Sequence, residues 1–215
     1  MALKFGDTKG KAQKKTVETY EYKDNENVLR LVGGVLPRYV YWLKGTNNKD
    51  IPVECLAFDR EEEKFNNKER DYVPEYFPDK KCSWSYVINA IDVKGDGRVK
   101  AVNLKKKLFE QIMTAAEDLG GPTDPDTGWD IVFKKVKTGP LPFNVEYQLA
   151  TLKCKVRPLT EEERGALAAA EDIDSKYPRP TPEDVKNTLE KIKNASPDEP
   201  TEGGTDGEAV ADLTH

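Results

Sequence analysis

Apolar positions along the chain change period several times, and each change predicts an element. Asn27-Val28-Leu29-Arg30-Leu31-Val32 is a short apolar run closed by Gly33-Gly34. Val35 to Lys44 alternates, so that Arg38, Val40 and Trp42 share one strand face and Tyr39, Tyr41 and Leu43 the other. Gly45-Thr46-Asn47-Asn48 reads as a turn, with Ile51 to Phe58 as the hairpin partner. Trp84 to Val93 is rich in aromatic and β-branched residues and turns at Gly95-Asp96-Gly97 into Arg98 to Val102. The period then lengthens to that of a helix. Leu104, Leu108, Ile112, Ala115 and Leu119 form one stripe, with Asn103 as its cap and Gly120-Gly121 as its stop. Trp129 to Lys137 and Val145 to Val156 return to strand character, separated by Gly139-Pro140-Leu141-Pro142. From Thr160 the style changes again: Thr160-Glu161-Glu162-Glu163 is a capping box, and Thr181-Pro182 sets a proline just inside a second helix. Five or six strands, one helix before the last two and no βαβ rhythm predict a small antiparallel barrel carrying a helical appendage.

Residues 59–82 fit none of these periods. Arg60, three glutamates and two asparagines are followed by Tyr72, Tyr76, Phe77, Lys80 and Lys81 among prolines. A long polar excursion with embedded aromatics is where a compact domain often keeps its function.

Composition sharpens the picture once it is split. The 215 residues carry 34 Lys+Arg and 39 Asp+Glu, a net charge of −5. Residues 1–157 hold 28 bases and 24 acids, whereas residues 158–215 hold 6 and 15. Lys4, Lys9, Lys11, Lys14 and Lys15 face only Asp7 in the first sixteen residues, which makes a basic arm. Residues 194–215 hold Asp198, Glu199, Glu202, Asp206, Glu208 and Asp212 without a base, a composition expected to stay disordered. Charged ends can simply keep a protein soluble. They can also serve a body that binds a polyanion while the tail competes or recruits a partner. No stretch is apolar enough for a membrane helix or a signal peptide, so an intracellular protein without membrane contact is expected.

Several chemistries lack their residues. His215 is the only histidine and lies in the tail, which leaves catalytic triads and histidine-ligated metals nothing to use. Cys55, Cys82 and Cys154 are odd in number and widely spaced, as in a reduced protein. Gly6-Asp7-Thr8-Lys9-Gly10-Lys11 is one residue short of a P-loop and has Ala12 at the hydroxyl position. Asp92-Val93-Lys94-Gly95-Asp96-Gly97 fails as a calcium loop through Lys94 and Asn103. No cofactor or metal is expected. A metal-dependent nuclease using Asp124, Asp126 and Asp130 is a rival, although those acids sit in a Pro/Gly loop without a partner cluster.

What the body does offer is aromatics interleaved with bases. Arg38, Tyr39, Tyr41, Trp42 and Lys44 come first, then Tyr72, Tyr76, Lys80 and Lys81, then Trp84 and Tyr86. Lys100, then Lys105 and Lys106 on the first helical turn, and then Lys134, Lys135 and Lys137 opposite Tyr147 complete the set. Single-stranded nucleic acid asks for this pairing, because every base has a face to stack and the phosphates follow the cations. The bland alternative is that Trp42, Trp84 and Trp129 are core residues and each lysine is merely solvated.

Read together, Asn27 to Val32, Ser85 to Val93, Leu104 to Ile112, and Trp129 to Lys137 ending at Tyr147 resemble the tailed-bacteriophage single-stranded DNA-binding (helix-destabilising) proteins. The resemblance covers about residues 27–158 and the plan of basic arm and acidic tail. It implies a mainly β, OB-fold-like antiparallel small barrel that coats single strands in DNA replication, recombination and repair, without enzymatic activity. It further implies self-association along the strand through the arm at 1–26, and recruitment of replication proteins such as polymerase or helicase by the tail at 194–215. The helical extension at 159–193 lies between barrel and tail, and the work is done in the cytoplasm of the infected host cell. Tyr86, Lys134 to Lys137, Arg38 and Tyr41 are the groove residues it indicates. Known relatives hold zinc in the insertion, but here 59–82 has only Cys82 with Cys55 just before it, so no zinc is expected. An RNA-binding or protein-interaction module of the same fold stays open.

Overall fold

The computed structural model describes residues 17–45, 48–141 and 144–194; the basic arm up to residue 16 and the tail from residue 195 lie outside them. In chain order run β1 (Glu26–Leu36), β2 (Tyr39–Lys44), β3 (Asp50–Glu54), β4 (Phe58–Asp59), β5 (Lys64–Phe65), α1 (Val73–Tyr76), β6 (Ser83–Trp84), β7 (Val87–Asp92) and β8 (Val99–Asn103). Then come α2 (Lys106–Leu119), β9 (Trp129–Lys137), β10 (Val145–Leu149), β11 (Lys155–Val156), α3 (Glu161–Ala169), α4 (Ile173–Lys176) and α5 (Pro182–Asn194). The protein is mainly β; these strands pair with one another antiparallel, and a lone parallel bridge joins Thr19 to Ala101.

The large sheet has the order β10-β9-β1-β7-β8, with β11 also on β9 and α2 between β8 and β9. This order is consistent with the expected OB-fold, but the sheet is open, because β8 and β10 do not pair. The segment before β1 occupies part of that seam. Tyr20 N–H donates to the Ala101 carbonyl at 2.8 Å, and Ala101 N–H donates to Glu18 at 2.9 Å. The Tyr22 ring then packs 4.5 Å from Tyr147 on β10, so side chains rather than a ladder close the gap. Residues 17–26 are expected in the arm at 1–26, yet Tyr20 is buried in the core and Tyr22 packs against it.

Element boundaries shift for identifiable reasons. Gly33-Gly34 does not end β1. Val32 pairs Asn89 and Val35 pairs Ile88, so the glycines form a bulge, with Gly33 at φ 74. Pro37 interrupts the expected strand from Val35 to Lys44. Asn103 belongs to β8, and α2 starts at Lys106 without a side-chain cap.

One face of the large sheet buries Leu29, Leu31, Ile88, Trp129, Ile131 and Phe133 against Leu108, Ile112 and Ala115 of α2. Burying each such side chain is worth ~1.5–3 kcal/mol. The other face is not free. Leu36, Val87 and Ala101 are covered by Ile173 of α4, and Val32 and Ile91 by Leu159 with Leu167 of α3. The extension read as an appendage is therefore the second layer of the sheet. Meanwhile α5 brings Val185 and Leu189 to a second core with Tyr41, Leu43, Val53, Leu56 and Phe58, built on the small sheet β3-β2-β6.

Arg157 anchors the second layer. Its guanidinium donates to both Glu163 oxygens, at 2.6 and 2.7 Å, and to Asp130 at 2.7 Å. The observed capping box of Thr160 with Glu163 starts α3 at that point. Arg157 holds the Glu163 carboxyl below the usual carboxylate range. The stabilisation is therefore complete above the unfolded glutamate pKa and fades as pH falls through the lowered folded value. Urea midpoints of wild type and Glu163→Gln should differ at pH 7 and converge in acid. A gap that does not change with pH would mean that the charge on Glu163 contributes nothing to it.

Candidate nucleic-acid interface

The small sheet places Tyr39 beside Trp84, as direct partners on β2 and β6. From there the rings form a row. Phe65 lies 5.0 Å and Phe58 4.7 Å from Tyr39. Trp84 stacks on Tyr86 at 3.5 Å with planes 12° apart, and Phe109 of α2 is 5.4 Å from Trp84. Tyr39, Trp84 and Phe109 are half-buried and Phe65 is 52% exposed, so each ring of the row keeps part of its surface at solvent.

A second ring group, Tyr22, Phe133 and Tyr147, joins the first across the link from β8 to α2. Trp84 Nε1 donates to the Leu104 carbonyl at 3.1 Å, and the Tyr22 hydroxyl donates to the neighbouring Asn103 carbonyl at 2.9 Å. Lys105 and Lys106 follow directly in sequence. Burial pushes the Tyr22 phenol far up, so it stays a hydrogen-bond donor at any working pH.

Not every expected residue joins this surface. Tyr41 and Tyr86 are each 6% exposed, so neither offers a free face. Tyr41 donates to Asp71 at 2.9 Å and lies 3.6 Å from the Cys55 thiol; Tyr86 donates to Glu63 at 2.7 Å. Burial first, then these partners, push both phenols upward. Tyr86 instead backs Trp84 from beneath. The Cys55 thiol is raised by its hydrogen bond with Cys82 and by burial, while that same bond lowers Cys82. Arg38 is half-buried, with its guanidinium 4.2 Å from the Tyr177 ring and Nε on the Ser85 carbonyl at 3.2 Å. Tyr72 and Tyr76 face α5: Arg70 lies over Tyr72 at 4.6 Å, and Tyr76 donates to Glu190 at 3.2 Å.

The cations divide as well. Lys44 pairs with Asp50 at 2.8 Å, Lys100 with Asp96 at 2.9 Å and Lys135 with Asp24 at 2.8 Å. Lys80, Lys81, Lys106 and Lys134 are exposed and have no ion pair among the described residues; Lys137 is exposed as well. Surface pairs are worth ~0–1 kcal/mol, so a phosphate can displace the paired acids. The carboxylates of the rival nuclease reading are already engaged: Asp124 accepts two backbone N–H groups, Asp126 pairs with Arg164 and Asp130 with Arg157.

Trp42, expected in the core, is 39% exposed on the β2 face opposite Tyr39. Phe65, Tyr22 and Phe109 were not singled out from the sequence. Tyr20 and Tyr22, two apart, carried a strand signal that the surrounding charge masked. A cleft of about 580 Å³ between Val17, Arg98, Ala166, Ala169 and Lys176 shares no lining residue with the row.

No helix among the described residues is long and apolar enough to cross a membrane. No family model matches the chain. It is similar to the probable ssDNA-binding protein of Escherichia phage T5, 27% identical over an alignment of 262 positions that takes in 99% of each chain. That homologue supports the resemblance to phage single-stranded DNA-binding proteins.

Proposed function

We propose that this protein binds single-stranded DNA with little regard to sequence, without catalysing a reaction. The observation that carries this is the row Phe65–Tyr39–Trp84–Phe109, partly exposed at every ring and leading to the lysines at the start of α2. Bases stack on the rings, and the phosphates take up Lys80, Lys81, Lys105, Lys106 and, past Tyr147, Lys134, Lys135 and Lys137. The phage T5 relative's name supports the choice of ligand.

Duplex hides its base faces, so binding draws the melting equilibrium toward open strands. On this reading the protein coats single strands in phage replication, recombination and repair, in the cytoplasm of the infected host cell. The arm supports contact between neighbouring copies, and the tail reaches polymerase or helicase partners.

Fluorescence of the three tryptophans tests the proposal. Oligo-dT should quench it far more strongly than duplex of equal length. The logarithm of affinity should fall with the logarithm of salt at a slope of about −0.7 per phosphate neutralised. A salt-independent titration removes the electrostatic half of the proposal, and equal quenching by duplex removes the stacking half. Competition by a matched RNA oligonucleotide measures the preference for DNA.

A further inference from the structure

Two of the three free thiols lie together at the small sheet, and the binding described so far uses neither. In the sheet order β3-β2-β6, β2 is the middle strand. Cys55 directly follows β3, and its N–H donates to the Tyr39 carbonyl at 2.9 Å. Cys82 directly precedes β6, whose Ser83 pairs with Val40. The two cysteines therefore reach β2 from opposite flanks, and their side chains meet at Tyr41. Cys55 Sγ lies 3.6 Å from the Tyr41 hydroxyl and 3.2 Å from the Asp71 carboxylate, and Cys82 hydrogen-bonds both Cys55 and Tyr41.

The members of this cluster differ in what surrounds them. Cys55 is buried, and its hydrogen bond with Cys82, followed by that burial, disfavours its thiolate. Cys82 is half-buried, accepts the hydrogen bond from Cys55, and follows the exposed Lys80 and Lys81 in sequence. A partly open thiol in a cationic setting is the reactive kind, because the thiolate is the nucleophile. Cys154 packs against the main core instead, where burial raises its thiol.

We propose that Cys55 and Cys82 are an oxidation site, closed reversibly into a disulfide by a small disulfide such as oxidised glutathione. The Cys82 thiolate attacks one sulfur of the reagent and expels the first glutathione thiolate, which ends with the proton that Cys82 lost. Cys55 gives its proton to the Asp71 carboxylate 3.2 Å away, attacks the Cys82 sulfur and expels the second glutathione thiolate, to which that proton passes on. Two protein thiols are oxidised to one disulfide, and the reagent is reduced to two glutathione molecules. The bridge encloses residues 55–82 with the β4–β5 hairpin and α1, and it fixes β6, which pairs with β2 at Tyr39 and Val40. Nothing in this step depends on DNA binding.

The test incubates the folded full-length protein with oxidised glutathione, blocks the remaining thiols with iodoacetamide and maps the peptides. Wild type should give a Cys55–Cys82 bridge with Cys154 alkylated, and dithiothreitol should restore all three thiols. Cys55→Ser should stop at one glutathione held on Cys82, and Cys82→Ser should take up the reagent about tenfold more slowly. The bridged protein should melt about 3 °C or more above the reduced one, since closing the loop restricts the unfolded chain. Should Cys55→Ser fail to fold, wild type and Cys82→Ser still decide the outcome. Glutathione lingering on Cys82 in the wild type, a bridge to Cys154, or no reaction short of unfolding would overturn the inference, as would a bridge that lowers the melting temperature.

Discussion

Replacing Trp84 by alanine should weaken binding to oligo-dT by about fivefold to 150-fold, the equivalent of the ~1–3 kcal/mol that one base stack provides. Trp84 is central to the row: it pairs with Tyr39 across β2, stacks on Tyr86, and its indole N–H holds the Leu104 carbonyl just before Lys105 and Lys106. Trp84→Phe keeps a flat face and should retain most of the affinity. Trp42→Ala is the control, because that exposed ring lies on the opposite face of β2 and should change binding little. Melting temperatures for all three separate lost stacking from lost packing. A folded Trp84→Ala protein with unchanged oligo-dT affinity would mean that the strand does not cross this row.

The second large effect concerns stability. A chain ending at Arg157 should fail to hold a cooperative fold, with loss of the thermal transition and aggregation on expression. Such a chain uncovers Val32, Leu36, Val87, Ile91 and Ala101 on one sheet face and removes Val185 and Leu189 from the second core. Several large side chains at ~1.5–3 kcal/mol each exceed the ~5–15 kcal/mol by which a domain is usually stable. It also removes Arg179, which donates to Glu54 and Glu69 and to the carbonyls of Leu56 and Phe58. Ile173→Asp offers a milder version, with a carboxylate placed against Leu36 and Val87. A truncated chain that unfolds cooperatively near the wild-type temperature would show that the second layer is dispensable.

This layer also limits where a strand can run. In a partly open barrel of this type, the second and third strands commonly present their outer face to oligonucleotides. Here the corresponding face of β7 and β8 lies beneath α3 and α4, with Asn89 tied to Glu171 and Lys176. The path proposed above follows instead the row Phe65–Tyr39–Trp84–Phe109, which those helices do not cover.

Much of the large sheet was legible in the sequence because its elements are long enough to show a period. β7, β8, α2 and β9 appear close to where alternation and the Leu108–Ile112–Ala115 stripe put them. The insertion was not legible as a folded unit. β4, β5 and β6 are two residues each and α1 is four, too short for any period, so residues 59–82 read as polar excursion. The tyrosines show the same limit at the site. Tyr39 and Tyr41 are alike in sequence, yet Tyr41 is buried because Asp71, thirty residues on, receives its hydroxyl. Alternation identified their shared face but not which end of it reached solvent. The layer over the other face of β7 was hidden as well, since α3 carries no buried residue of its own and looks like a solvated helix.

The stretch from Val17 to Tyr22 lies alongside β8, occupying hydrogen-bonding groups at Ala101 and lending the Tyr22 ring to the seam with β10. Shortening the chain from its front end past residue 16 therefore removes these contacts. A cut a few positions later would bare the flank of β8 to sticky pairing between molecules, and poor solubility there could be mistaken for loss of the basic arm's own role.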